Sequence, residues 1–399
     1  RIADLDVTTD RGVKVNPAIL TTKVADVLED PEIAIVVELI GGLEPARTFM
    51  LRAIEQGKHI VTANKALLAM HGAEIFGAAE EKGVDIGFEG SVGGGIPIIR
   101  SLKEGLVANK IRVIFGILNG TSNYILSEMT HQGLKFQEAL QKAQELGYAE
   151  ADPTLDIEGT DTAHKLSILL SLAYGIQVRI DDIYTEGISF INPMDIEHAK
   201  ELGYHIKLLA IAKADSGPIE ARVHPTLLPA EHLLSTVKGP FNAIFVKGDA
   251  VGSTLFYGAG AGMMPTGSAV VSDLVDLCRN IRLGISRRVP LLGYEPVHIR
   301  EGEIKNILEI SSTYYLRFTV VDRSGVLSRI SGILGDLDIS IASVIQKGRR
   351  VEKAVSIYMV THEAQEKNMQ KALQVIDRLP VIVDKTVLIR IEDPSDFGG

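Results

Sequence analysis

The first third of the chain alternates short apolar runs with helical patterns. Ile33 to Ile40 (IAIVVELI) is a near-continuous apolar run of strand length, the kind buried on both faces of a parallel sheet. Glu44 to Gln56 follows with amphipathic helical spacing and stops at Gly57, a suitable C-cap. The pattern then predicts a strand at His59 to Ala63, a helix from about Ala66 to Lys82 ended by Gly83, and a strand at Val84 to Phe88. Strands separated by single helices indicate right-handed βαβ units and a doubly wound parallel sheet.

From about Gly116 to Gly175 the pattern turns helical. Residues 204 to 258 then carry strand-like runs, YHIKLLAIAKA, IEARVH, NAIFVK and STLFYG, divided by Gly, Pro and Asp, which predicts an α+β domain. Helical periodicity returns at Val270 to Ile281. From about Thr313 the order is strand YYLRFTVV, turn DRSG, helix VLSRISGILGDL, strand ISIASVIQK, strand AVSIYMVT, a helix near 363 to 379 and strand TVLIRI. That is the β-α-β-β-α-β order of a ferredoxin-like unit. Three domains are expected, over residues 1–112, 113–300 and 313–392, and 399 residues are indeed too many for one ordinary core.

Composition narrows the function classes. With 46% apolar and 23% charged residues the chain is globular, and a net charge of -10 disfavours nucleic acid or an anionic membrane as its main partner. The longest uncharged stretch, Ala250 to Ser272, contains five glycines and Pro265, and reads as loop and strand rather than a membrane helix. A cytoplasmic location follows as the expectation. Cys278 stands alone, which excludes a disulfide framework or thiolate cluster and casts it as a small buried core residue. The histidines show no H-E-x-x-H spacing, so a histidine-bound transition metal is not expected.

Chemistry concentrates in three segments. A parallel sheet binds ligands at the carboxyl ends of its strands, where HIVTANKALLA places Lys65 and FEGSVGGGIPIIRSL places three glycines before a helix. Lys65 is either a ligand-facing cation or a solvated helix-start lysine. The glycine run is either a backbone cradle or a tight strand-to-helix turn. The sharpest constellation is GYAEADPTLDIEGTDTAHKLSILLSLAYG. Asp161 and Lys165 lie four residues apart and share a helix face, which alone describes an ordinary surface ion pair. The apolar residues after Lys165 leave no continuous polar face, so the helix is expected to be buried and its charged pair functional.

No G-x-G-x-x-G occurs in the chain, and GAGAG at 258–262 is a different glycine loop. The opening ADLDVTTDRG has the look of a second Rossmann strand and its loop, so a first strand and glycine loop are expected upstream of Arg1.

Taken together, VTANK, EGSVGGGIP, GILNGTSNYIL, GYAEADPTLDIEGTDTAHKLSIL and GAGAGMMPTGSAVVSD, in that order, resemble the homoserine dehydrogenase family with a C-terminal ACT domain. The resemblance implies a Rossmann-like domain lacking its first βα unit, a catalytic and dimerisation domain, and a regulatory ACT domain. It implies interconversion of L-aspartate 4-semialdehyde and L-homoserine with NADPH or NADH. By matched position, Lys165 resembles the proton donor to the substrate carbonyl and Asp161 the group that orients it and binds substrate. Glu150 and Asp156 resemble holders of the substrate amino group, and Lys65 a neighbour of substrate and nicotinamide. Gly147 and Gly262 match positions that approach the dinucleotide. Glu89, with the carbonyls of Val92, Gly94 and Ile96, matches a monovalent cation site usually assigned to sodium.

In the ACT segment, Asp322 to Val326 places Gly325 where a helix start would receive an amino-acid carboxylate, and threonine is the effector the resemblance implies. Asp338 stands where the family usually has Asn before Ile-Ser-Ile, so altered effector binding is expected. A homodimer or larger homo-oligomer is expected as well. A polypeptide without the glycine loop is expected to be inactive or poorly folded. Asp4, Asp6 and Arg11 give a mixed signal between NADP and NAD. Two other readings stand beside the dehydrogenase: a catalytically silent amino-acid sensor, and a related reductase of another small aldehyde.

Overall fold

The structure, a computed structural model, describes residues 1–214, 217–346 and 354–392. It divides into two compact units, and neither is one continuous segment. The first comprises 1–110, 167–180 and 258–302, and the second 111–166, 181–257 and 303–399. These differ from the linear boundaries 1–112, 113–300 and 313–392, because the chain returns to the first unit twice. The predicted α/β class, with a Rossmann-like sheet and a ferredoxin-like end, is what the structure has.

In the first unit three parallel strands form the sheet: β1 (Ile35–Glu38), β2 (His59–Thr62) and β3 (Ile86–Gly87). Helix Ala46–Glu55 joins β1 to β2, and helix Lys65–Lys82 joins β2 to β3. The second helix is set at both ends by local chemistry. Asn64 Oδ1 accepts from Leu67 N (3.1 Å), and Gly83 closes the helix at φ 69°, a conformation that favours glycine. Val61 packs with Val270 and Leu277 of helix Met263–Leu283.

That helix corrects two expectations. It begins at Met263, so the second half of the Ala250–Ser272 stretch is helical rather than loop and strand. Gly262 at φ 124° breaks the preceding strand, and Pro265 is tolerated because it sits in the first turn, where its missing N–H is no loss. Cys278 is exposed rather than buried. The inward stripe runs through Ala269, Val270, Asp273, Leu277 and Asn280, and Cys278 is rotated about 100° from Leu277. No helix among the described residues is long and apolar enough to cross a membrane.

The second unit is built on one long sheet. Its main strands are β4 (Ile111–Ile117), β5 (Tyr204–Lys213), β6 (Glu220–Pro229), β7 (Phe241–Gly248), β8 (Gly252–Ala259), β9 (Ser311–Val321), β10 (Ile341–Gln346), β11 (Ala354–Thr361) and β12 (Ile382–Ile391), and two short strands, Tyr184–Thr185 and Ala364–Gln365, pair with β6 and β9. The order across the sheet is β8-β7-β4-β5-β6-β12-β9-β11-β10. β6 runs beyond the predicted IEARVH because Pro225 and Pro229 disguise its extension. Strands β9 to β12, with helices Val326–Asp336 and Glu366–Ile376, give the predicted βαββαβ order around their own apolar core of Phe318, Ile330, Met369 and Ile376. The end of the predicted strand ISIASVIQK, residue 347, lies outside the described residues.

The join between the two parts of this sheet was not predicted. β12 pairs parallel with β6 at Thr226↔Arg390 and Leu227↔Ile391. Buried ion pairs reinforce it. Glu392 accepts from Lys213 Nζ and Arg222 Nη2, both at 2.6 Å. Arg317 clasps Asp195 with Nε at 2.6 Å and Nη2 at 3.1 Å. Arg390, held within the ferredoxin-like part by Glu366 at 2.6 Å, donates across the join to Glu186 at 3.1 Å.

Candidate active site

The site in the second unit is assembled where β4 ends and helix Gly120–Gln132 begins. The side chain of Asn119 caps that helix, its Oδ1 accepting from Ser122 N at 2.8 Å. The first turn then gathers the loop that follows helix Phe136–Glu145. Thr121 Oγ1 donates to Tyr148 O (2.6 Å), and Ser122 Oγ donates to Asp156 O (2.8 Å). Gly120 is required here, because a Cβ would lie 2.7 Å from the Pro240 carbonyl oxygen.

Helix Thr160–Tyr174 delivers Asp161 and Lys165 to the same place, and the expected burial is observed. Asp161 is 6% exposed and Lys165 7%, while Leu166, Leu169 and Leu170 are fully buried. An ion pair so enclosed must be satisfied by geometry rather than by water. Lys165 Nζ donates to Asp161 Oδ2 and to the Leu118 carbonyl, each at 2.6 Å. Asn242 Nδ2 donates to that same carbonyl at 2.9 Å. Among the described residues, two of the three ammonium N–H groups are thus directed by the protein, which leaves the third for an oxygen of a bound molecule.

Asp156 joins the cluster through Asn119. Its Oδ1 accepts from Asn119 Nδ2 at 2.6 Å, and the same nitrogen donates to Asp161 Oδ2 at 2.9 Å. The structure therefore brings together Asp156, Asp161 and Lys165, which the sequence singled out, and Asn119, which it did not. Glu150 is exposed, and it is its backbone carbonyl that accepts from Gln144 Nε2 at 3.1 Å. Gly147, at φ 74°, turns the chain out of the preceding helix into this loop.

The remaining candidates belong to the first unit. Lys65 is the first residue of helix Lys65–Lys82, at the carboxyl end of β2. Asn64 Nδ2 donates to Gly42 O (2.8 Å), which ties it to the turn after β1, where Gly41 and Gly42 both take positive φ. Glu38 braces that turn, accepting from Ile40 N (2.8 Å) and Thr62 Oγ1 (2.7 Å). This backbone-rich edge at the carboxyl ends of a parallel sheet suits a dinucleotide. Gly262 stands before helix Met263–Leu283. Arg11 pairs with Asp4 at 3.1 Å.

Glu89 is buried, and its carboxylate accepts from Ile99 N (2.8 Å) and Arg100 N (3.0 Å). Desolvation pushes its pKa up to about 7, and burial likewise raises Asp273, whose Oδ2 accepts from Glu89 N, to about 6. Glu89 also borders a cavity of about 60 Å³ shared with Asp85, Lys103 and Asp273. Gly94, in the adjoining glycine run, lies directly against the later glycine loop, since a Cβ there would meet Gly260 C and O at 2.6 Å. The Ile96 carbonyl accepts from Ile98 N at 2.8 Å. A hard monovalent cation fits this set in one respect, because it supplies the countercharge that a buried carboxylate with a raised pKa lacks. Among the described residues, no group of three or more His, Cys, Asp or Glu side chains could hold a metal ion, so any such site depends on carbonyl oxygens.

In the ferredoxin-like part, Gly325 (φ 84°) caps the start of helix Val326–Asp336, and Asp322 precedes it, exposed. Asp338 follows the other end of the same helix at φ 58°, a left-handed conformation that Asn and Asp tolerate better than other side chains. At 1.5 Å rise per residue the ends of this helix are roughly 16 Å apart. Asp338 and Gly325 of one chain are therefore not brought into one pocket.

Comparison with known proteins gives a uniform result. Residues 1–89 match the family described as homoserine dehydrogenase, NAD binding domain; 97–275 match homoserine dehydrogenase; and 314–381 match the ACT domain. The chain is 48% identical over 374 residues to a homoserine dehydrogenase from Pseudomonas aeruginosa, covering 94% of this chain and 86% of that protein. A crystal structure of a homoserine dehydrogenase from Thiobacillus denitrificans superposes with a TM-score of 0.89 at 52% identity, covering 94% of this chain and 85% of that one. A hyperthermophilic archaeal homoserine dehydrogenase in complex with NADPH gives a TM-score of 0.54 at 27% identity, over 65% of this chain and 75% of that one.

Proposed function

The chain belongs to the homoserine dehydrogenase family, and from that premise we propose that Lys165 is the proton donor when L-aspartate 4-semialdehyde is reduced to L-homoserine. The enzyme is an oxidoreductase with a nicotinamide cofactor and an ACT domain that suggests regulation by an amino acid. When bound, the nicotinamide supplies the hydride, or takes it in the reverse direction. The observation that carries the residue assignment is the buried ammonium of Lys165, directed by Asp161 and the Leu118 carbonyl with one N–H unspent.

That N–H faces the oxygen on which negative charge develops, and it stabilises the charge and then transfers its proton. In the oxidative direction the neutral amine takes the hydroxyl proton back. Asp161 holds the lysine in register. Asp156 and Glu150 accept from the substrate ammonium. Lys65, Gly147 and Gly262 are assigned to the cofactor, since the carboxyl edge of β1 and β2 is the side on which a parallel sheet takes a dinucleotide. Loss of NADPH or NADH absorbance with aspartate semialdehyde, compared with other small aldehydes, tests substrate and cofactor preference together. Equal rates on unrelated aldehydes would refute the substrate assignment.

Glu89, with the carbonyls of Val92, Gly94 and Ile96, is proposed to hold sodium or another monovalent cation. The folded-state pKa of Glu89 is raised to about 7. Its contribution to stability is therefore fully present below the unfolded carboxylate value and is lost as pH rises through about 7. A bound cation would offset that loss, so sodium should raise the melting temperature more at pH 8 than at pH 6, on the logic of ligand linkage. Glu89→Gln should flatten this difference, and a variant that keeps the full sodium response would sink the site.

We also assign to the ACT part an amino-acid effector whose carboxylate is received near Gly325, threonine being the first to test, and to the enzyme a homodimeric or larger assembly. Millimolar threonine should shift the melting temperature or the rate. No shift in either would leave the ACT part with a purely structural role.

A further inference from the structure

We propose that Asn119 is a positioning residue of the reaction, the group that sets both the proton donor and the substrate-binding carboxylate. The proposal rests on the reading of Lys165 and Asp156 given above. Asn119 is 5% exposed and uses every part of its amide. Oδ1 caps helix Gly120–Gln132 through Ser122 N, while Nδ2 donates to Asp156 Oδ1 at 2.6 Å and to Asp161 Oδ2 at 2.9 Å.

The two carboxylates share this one neutral amide, whose two N–H donors hold one on each side. The preceding residue completes the arrangement. The carbonyl of Leu118 takes the second N–H of Lys165, and Asn242 Nδ2 fixes that carbonyl from another direction. The Leu118–Asn119 dipeptide at the end of β4 thus touches Lys165 directly and, through Asp161, indirectly. A shift of Asn119 would turn the ammonium away from the reacting oxygen and loosen Asp156 from the substrate ammonium. The ionisable groups that the structure places around it are Asp156, Asp161 and Lys165.

The capping and bridging roles separate experimentally, because different atoms perform them. Asn119→Ser keeps a capping oxygen of comparable strength and removes both bridging N–H groups. Its melting temperature should fall by only a few degrees, the cost of the two lost bridging bonds, while kcat/KM for homoserine falls by about 10- to 100-fold, the scale of a misplaced catalytic group. The loss should appear in kcat through Lys165 and in KM through Asp156. Asn119→Asp also keeps the cap, but it adds a third carboxyl that can donate only while protonated. Its activity relative to Asn119→Ser should rise by about tenfold as pH falls from 9 to 6, since like charges favour retention of a proton.

A merely structural cap would not produce that contrast. The bridging role is overturned if Asn119→Ser retains parental kcat/KM, or if the two variants have parallel pH profiles. Lys165→Ala measured alongside separates the two claims. An inactive Lys165→Ala with a fully active Asn119→Ser removes only the bridge, whereas an active Lys165→Ala removes the Lys165 assignment on which the bridge depends.

Discussion

Replacing Lys165 by Ala should lower kcat by about 10³-fold, near 4 kcal/mol of barrier, while cofactor affinity stays within about twofold. The expectation follows from where the ammonium is held. It is buried, anchored at 2.6 Å to both Asp161 and the Leu118 carbonyl, and has one proton left to give. An interaction with an oxygen that gains charge only as hydride arrives stabilises the transition state more than the ground state, so its loss falls on kcat. Lys165→Arg sharpens the test. A guanidinium keeps the positive charge but does not release its proton at ordinary pH, so it should restore the pairing with Asp161 and little of the rate. Steady-state kinetics with a separate fluorescence titration of the cofactor would check both. Unchanged kcat in Lys165→Ala would remove it from the mechanism.

How much of this was legible follows from the distances along the chain over which each feature is encoded. Asp161 and Lys165 lie one turn apart on a helix whose later residues are apolar, so their pairing and burial could be read locally. The βαββαβ order was equally local, each strand and helix carrying its own periodicity. Asn119 was not, although it stands in a segment quoted for its family resemblance. Its partners are 37 and 42 residues away, and an asparagine before a helix normally signals a cap, which it also is. The discontinuous units escaped for the same reason, since residues 258–302 rejoin the first unit without any local mark. Gly325 and Asp338 are close enough in sequence to suggest a shared effector site. The straight helix between them holds them apart, and rigid helical rise is a constraint that proximity in sequence conceals.

The least legible feature, the join of β12 to β6, carries the second large effect. Glu392→Gln should cost about 3 kcal/mol of stability near neutral pH. Glu392 is 2% exposed and lies between Lys213 Nζ and Arg222 Nη2, each at 2.6 Å. The buried Arg222 charge beside it, reinforced by Lys213, outweighs desolvation and lowers its pKa to about 2. An amide has nearly the same shape but no charge, so Lys213 and Arg222 lose their shared countercharge. The pH dependence separates this electrostatic loss from simple misfit. A carboxylate with a depressed folded-state pKa contributes stability that is full above the unfolded value and is lost as pH falls towards about 2. The gap between parent and variant, measured by urea unfolding, should therefore be constant from pH 8 to pH 6 and begin to narrow below about pH 4.5. Steric misfit would give a gap independent of pH. Because Glu392 directly follows β12, the weakened join should also appear as faster amide exchange at the β6–β12 pairing than within the ACT core. Uniform exchange would show that the two parts of the sheet open as one and that this ion cluster does not set the boundary between them.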